Sequence, residues 1–96
     1  MFLVICYAVH EKKLAGVYQF HSQDEAFACM EMDVKNTYDE EIANSGNSMD
    51  DIDFDIDETK GIVTDHAADC CWKWEVVEIK EKEKNYGTEI TDFRKI

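Results

Sequence analysis

Residues 22–43, SQDEAFACMEMDVKNTYDEEIA, decide the fold of this chain. The first four, Ser22 to Glu25, match a capping box, in which a Ser hydroxyl and a Glu side chain satisfy backbone N–H groups at a helix N-terminus. Gly46 lies where a left-handed residue commonly ends a helix. The segment is therefore predicted to form a long amphipathic helix from Ser22 to about Ala43. Its apolar stripe, with helical period, consists of Phe27, Met30, Val34, Tyr38 and Ile42.

Two β-strands are predicted before this helix. Residues Phe2–His10, FLVICYAVH, are apolar at both alternating sets of positions, which is typical of a central strand covered on both sides. A polar turn at Glu11-Lys12-Lys13 follows, and Gly16–His21 is predicted to be the hairpin partner of the first strand.

The segment after the helix, Met49–Glu58, alternates acidic and apolar residues. Aspartate is a poor strand former, but the unbroken period of two favours a strand with its aspartates on one face. Ile62–Thr64 is predicted to be a short return strand, and Cys71–Ile79 a further strand. In that last strand Trp72, Trp74 and Val76 share one face.

A chain of 96 residues holds one domain. The predicted fold class is α+β: an antiparallel sheet of about four or five strands in the order ββαββ(β), with one long helix packed on one face. Residues 1–84 form this domain, and residues 85–96 are predicted to be a C-terminal tail that is weakly helical or mobile. One helix covers one face only, so the second face of the first strand is expected to meet the tail, another copy of the chain or a target protein.

The charge is strongly negative and unevenly distributed. The net charge is −12, and residues 22–69 contain fifteen acidic residues and two lysines, a net −13. Such a field repels phosphate, so direct binding to nucleic acid or to an anionic membrane is not expected. No apolar run approaches about 18 residues, so no membrane span is predicted. A homodimer is compatible with the sequence.

The apolar run Phe2–Val9 has no basic residue before it and no small-residue cleavage site after it, so it is not predicted to be a secretory signal. The four cysteines, Cys6, Cys29, Cys70 and Cys71, are therefore expected to be reduced thiols in the cytoplasm.

No cofactor, metal or catalytic residue is predicted. The aspartates at 51, 53 and 55 have the spacing that opens an EF-hand loop, but Ile56 and Ile62 occupy the positions of the required glycine and glutamate. His66 with Cys70 and Cys71 lacks the second pair of ligands that a structural zinc site needs. No glycine-rich phosphate loop or nucleophile motif is present, so the chain is predicted not to be an enzyme.

The acidity instead predicts a binding protein. Aspartates about 6.6 Å apart on a strand, extended by acids on the helix face opposite the apolar stripe, would imitate a nucleic-acid backbone. In size, charge and compactness the chain is similar to small acidic proteins of phages and mobile elements that block CRISPR effectors or restriction enzymes. The preferred hypothesis is an inhibitor that occupies the basic surface of a nucleic-acid-processing protein. The alternatives are a small acidic adaptor or housekeeping domain, and a protein that binds divalent cations. The predicted partner-binding residues are Asp50, Asp51, Asp53, Asp55, Asp57 and Glu58, supported by Asp33, Asp39 and Glu40.

Overall fold

A computed structural model describes residues 1–46 and 49–80 of the chain. Both the predicted tail, residues 85–96, and the predicted domain boundary at residue 84 lie outside the described residues. No helix in the described part combines the length and the apolar character needed to cross a membrane. The elements in chain order are β1 (Phe2–Ala8), a 3-10 turn (Val9–Glu11), β2 (Lys13–Phe20), α1 (Gln23–Ser45), β3 (Ile52–Ile56), β4 (Lys60–Asp65) and β5 (Cys70–Glu78).

The five strands form one sheet in the order β2-β1-β5-β4-β3. Every neighbouring pair is antiparallel, and α1 packs against one face. The predicted α+β class is confirmed, with all five strands present. In this order β2 and β3 are the two edge strands of the sheet.

Both strands of the first hairpin differ from the prediction: β1 ends at Ala8 and not at His10, and β2 covers Lys13–Phe20 and not Gly16–His21. The turn ends at Lys12, which adopts the left-handed conformation with φ 56°. A register shift between Cys6 and Tyr7 brings Leu14 opposite Tyr7, and Lys13, which was predicted to lie in the turn, begins β2. Such a bulge increases the local twist of the strand.

The helix begins and ends as its capping residues predict. The Ser22 hydroxyl accepts a hydrogen bond from the backbone N–H of Glu25 at 3.1 Å, and Gly46 at φ 78° ends the helix. Met30 and Val34 are fully buried. The other members of the predicted stripe are partly buried against the same core: Phe27, Tyr38 and Ile42.

The core lies between α1 and the sheet, and α1 approaches β4 very closely. A Cβ atom added to Gly61 would lie 2.7 Å from a methyl carbon of Val34, so this position admits no larger residue without movement. The buried sheet residues in this core are Val4, Cys6, Ile52, Val63, Trp74 and Val76.

The other face of the sheet, here the open face, is not covered by any element in the described part of the chain. The strand pairings place Leu3, Ile5 and Tyr7 on it, beside Val17 of β2 and Ile62 of β4. Leu3 and Ile5 are half-buried, whereas Tyr7 and Val17 are exposed. Within the described residues, β1 is therefore covered on the helix side alone, and no element covers its second side as predicted.

Candidate functional site

Strand β3 presents the acidic residues that the sequence singled out. Its pairing with β4 places Ile52, Phe54 and Ile56 on the helix side and Asp53 and Asp55 on the open face. Ile52 is buried, and the ring of Phe54 lies 4.7 Å from that of Tyr38 in α1. These apolar contacts explain why a segment rich in aspartate forms a strand, since packing on one face outweighs weak β-propensity.

The carboxylates along this strand have different partners. Asp53 Oδ2 lies 2.8 Å from Nε2 of His66, an exposed ion pair when the histidine is protonated. Asp55 is exposed and accepts a hydrogen bond from the N–H of Ile56, its own neighbour, at 3.1 Å. Asp55 thus makes no long-range hydrogen bond or ion pair in the described structure.

Asp57 lies at the turn between β3 and β4, and its carboxylate stabilises that turn. Its Oδ1 accepts hydrogen bonds from the backbone N–H groups of Thr59 and Lys60, both at 2.9 Å. These two donors, and then the positive charge of Lys60, lower the pKa of Asp57 below its ordinary value. Sequence alternation alone did not indicate this structural role.

The remaining acids of the segment lie at its two ends. Asp50 and Asp51 belong to the turn before β3, where the backbone carbonyl of Asp51 accepts a hydrogen bond from His66 N–H at 2.8 Å. Glu58 lies at the other end, where it lines an open hollow together with Asp24 at the N-terminus of α1. We call the whole set the acidic edge: Asp50, Asp51, Asp53, Asp55, Asp57 and Glu58.

The helix acids do not extend this surface as predicted. Asp53 and Asp55 project from the open face, whereas α1 lies on the other side of the sheet. Asp33 is half-buried and accepts a hydrogen bond from Trp74 Nε1–H at 2.8 Å, so its predicted place on the outer face of α1 is wrong. The indole N–H needs a partner when it is buried, and Asp33 supplies one.

Glu40 also lies apart from the acidic edge. With Asp33 it lines a cleft of about 270 Å³ between α1 and the strands β1, β2 and β5. Asp39 is exposed on α1 and is not part of that cleft. The predicted acids therefore lie in three separate places. The acidic edge is on and around β3, Asp33 and Glu40 line the cleft beside β2, and Asp39 is isolated on α1.

A shallow groove lies next to the acidic edge on the open face. Its volume is about 450 Å³. Ile5, Tyr7 and Ile62 supply its apolar lining, and Asp55 and Asp57 belong to its wall. Three further charged residues, Lys60, Lys73 and Glu75, surround it. An apolar centre within a charged rim is the usual composition of a protein–protein interface.

The structure also contains a carboxyl pair that the sequence did not reveal. Asp65 is fully buried and accepts hydrogen bonds from the N–H groups of Ala67 and Ala68 at 3.1 and 3.0 Å. Glu41 of α1 shares a hydrogen bond with Asp65. That bond, partial burial and the charge of Asp65 together raise the pKa of Glu41. The two residues are 24 positions apart in the chain, and no local pattern links them.

Burial keeps three of the four thiols in their protonated form. Burial, and second the charge of Asp33, raises the pKa of Cys6 to about 11. Burial likewise raises the pKa of Cys29 and Cys70, and nearby carboxylates add to the effect. These thiols are protonated at neutral pH, and a thiol is a weak nucleophile. Among residues 1–46 and 49–80, no three His, Cys, Asp or Glu side chains are placed to hold a metal ion.

No protein-family model, no curated protein and no solved structure matches this chain.

Proposed function

We propose that this chain is a non-enzymatic binding protein that inhibits a nucleic-acid-processing protein by occupying its basic surface. Contact is made through the acidic edge and the adjoining groove of the open face. Basic side chains of the target meet Asp53, Asp55 and Asp57, while its apolar residues pack on Ile5 and Tyr7. The four cysteines are free thiols, which suits the reducing cytoplasm where such targets act.

The observation that carries this proposal is the position of Asp55. It is an exposed carboxylate on an edge strand, its one hydrogen bond in the described structure is to its own neighbour, and it adjoins the groove of the open face. Aspartate is disfavoured in strands, and like charges repel across a two-residue spacing. No long-range contact in the described structure uses this carboxylate, whereas recognition of a cation on a target would use it.

The spacing of the acidic edge favours a target that normally holds nucleic acid. Same-face residues of an extended strand recur about every 6.6 Å, which is the spacing expected for Asp53 and Asp55 on β3. Lysine and arginine side chains that grip successive phosphates would find two carboxylates at a similar repeat instead. The alternative function is that of a small acidic adaptor. No contact in the described structure favours an adaptor over an inhibitor that competes with nucleic acid for its target.

The proposal is tested by capture followed by displacement. The immobilised protein is incubated with a soluble extract of its source cells at about 50 mM salt, where charge interactions are weakly screened. Bound proteins are then eluted with duplex DNA, with an uncharged polymer as the control. We expect nucleic-acid-binding proteins to be retained and to be released by DNA.

Two variants that each remove two charges test whether the acidic edge is responsible for the capture. Asp53→Asn with Asp55→Asn removes two charges from the edge, and Asp39→Asn with Glu40→Gln removes two from the helix. The edge variant should lose most of the DNA-released protein, and the helix variant should retain it. If both variants capture equally, or if DNA releases nothing, the proposal is wrong.

A further inference from the structure

One of the two carboxylates that β3 projects from the open face has a histidine partner. Nε2 of His66 lies 2.8 Å from Oδ2 of Asp53, and the two side chains are 60% and 65% exposed. In the described part of the chain, His66 is the one partner of the Asp53 carboxylate. Asp55, on the same face, makes no ion pair there. A change in the charge of His66 therefore acts on Asp53 and leaves Asp55 as it is.

The pairing of β3 with β4 brings His66 and Asp53 together. Asp53 lies opposite Thr64, two residues before His66, so His66 stands diagonally across from Asp53 on the same face. Diagonal neighbours of an antiparallel pair are within reach of long side chains. The backbone N–H of His66 donates to the carbonyl of Asp51 at 2.8 Å, which extends the pairing by one residue. The contact is therefore positioned by the backbone of the sheet.

The charge of the imidazole decides what this contact does to the acidic edge. Histidine is the side chain whose charge normally changes between about pH 5 and 8. Protonated His66 forms an ion pair with Asp53 and cancels one negative charge. Neutral His66 can still donate a hydrogen bond from Nε2, but it leaves the charge of Asp53 uncompensated.

His66 is surrounded by carboxyl groups. Besides Asp53, they belong to the turn before β3, to the end of β4 and to the turn that His66 begins: Asp50, Asp51, Asp65 and Asp69. His66 is the one member of this group that can carry a positive charge. Its protonation therefore makes this end of the acidic edge less negative.

We propose that His66 makes recognition through the acidic edge pH-dependent, so that its protonation weakens the binding of a basic partner. A cation that contacts Asp53 must displace the imidazolium, whereas it meets neutral imidazole without charge repulsion. Both side chains are exposed and Asp55 has no such partner, so binding should weaken about 3- to 5-fold without being abolished. This inference rests on the proposed function, because it concerns the same carboxylates.

Titration with a fluorescent oligolysine peptide at about pH 5.5 and about pH 8 tests the inference. Lysine is charged at both pH values, and about 50 mM salt keeps screening weak. Wild type should bind the peptide about 3- to 5-fold more tightly at the higher pH. His66→Gln keeps a polar side chain that does not titrate and should lose most of this difference. His21→Gln is the matched control, because His21 follows β2 at the opposite edge of the sheet, and it should retain the difference.

Proton release gives a second measurement on the same proteins. Calorimetric titration between these pH values, in two buffers of different ionisation enthalpy, counts the protons released when the peptide binds. Wild type should release a fraction of a proton, since a bound cation disfavours protonated His66. His66→Gln should release fewer protons than wild type, and His21→Gln should release as many.

The edge variant, Asp53→Asn with Asp55→Asn, separates this inference from the proposed function. If the edge variant binds the peptide as tightly as wild type, the acidic edge is not the contact surface, and both proposals are wrong. If the edge variant binds weakly while wild type and His66→Gln respond equally to pH, the contact surface stands and the role of His66 is overturned. Loss of the pH response in His21→Gln would also overturn it.

Discussion

At the β3–β4 turn, two backbone N–H groups donate to the carboxylate of Asp57, whereas Asp55, two residues earlier, bonds only to its neighbour. Asp33 is different again, since it accepts from the indole N–H of Trp74. Acids that look equivalent in the sequence thus divide into residues that hold the fold together and residues, such as Asp55, that make no long-range contact in the described structure.

Asp57→Ala should destabilise the protein in a pH-dependent way. Because the folded state lowers the pKa of Asp57, its contribution is present above the ordinary aspartate pKa and is lost as pH falls through the lower folded value. We expect a Tm several degrees below wild type at pH 7 and a smaller difference near pH 2. Asp55→Ala is the control and should leave Tm nearly unchanged; equal losses from both variants would contradict the turn assignment.

Glu41→Gln should have the opposite effect. The folded state raises the pKa of Glu41, so this group's contribution is fully present below its unfolded pKa and is lost as pH rises through the folded value. The amide donates to Asp65 without a charge, so at pH 7.5 the variant should be more stable by about 0.5 kcal/mol, the scale of a screened, partly exposed pair.

The difference between Glu41→Gln and wild type should disappear near pH 4, where wild type carries the shared proton. Thermal unfolding at several pH values measures this, with Glu40→Gln as the control for loss of one charge. A stability gain that is the same at every pH would show that the carboxyl pair is not its cause.

At the scale of secondary-structure elements, the main feature is the close packing of α1 on β4. Gly61 allows the approach, and Val34 occupies the space that a side chain there would need. Gly61→Ala should therefore cost about 1–3 kcal/mol, the usual range for overpacking a core. Val34→Ala shortens the opposing side chain and should relieve part of the overpacking. The loss of unfolding free energy in the double variant should therefore be about 1 kcal/mol smaller than the sum of the two single losses.

Denaturant unfolding of the single and double variants completes this cycle. Gly16→Ala is a useful control, because the added carbon there meets the ring of Tyr18, which is exposed and free to rotate. That change should cost less than about 1 kcal/mol. Strict additivity of Gly61→Ala and Val34→Ala would contradict the close packing described here.

The helix was the most predictable element because its determinants are local. A capping serine, a 3.6-residue stripe and a glycine lie in one stretch, and each takes the predicted role. The start of β2 depends instead on a register shift between Cys6 and Tyr7, which is set by pairing and not by the β2 sequence. The short predicted return strand at Ile62–Thr64 extends from Lys60 to Asp65, because it pairs with β3 on one side and with β5 on the other.

The candidate site was predictable in part. Alternation correctly placed Asp53 and Asp55 on one face of a strand and Ile52 on the other. The contacts of Asp33 and Glu40 could not be predicted, since Trp74 and the strands that form the cleft come from distant parts of the chain. The Glu41–Asp65 pair joins two distant segments, so nothing local in the sequence signals it.

At the scale of the whole molecule, the two ends of the sheet have opposite character. One end carries the acidic edge, and the other carries the exposed apolar residues of β2. Residues 22–69 have a net charge of −13, whereas the rest of the chain is close to neutral.

The most direct test of the acidic edge is the association rate with the DNA-released target, measured at about 50 and 300 mM salt. Rates are compared for wild type, Asp53→Asn with Asp55→Asn, and Asp39→Asn with Glu40→Gln. Removing two charges that face the target should slow association about 3- to 10-fold at low salt and flatten its salt dependence, while the helix variant should stay within about twofold of wild type. Equal rates and equal salt slopes for wild type and the edge variant would contradict recognition through the acidic edge.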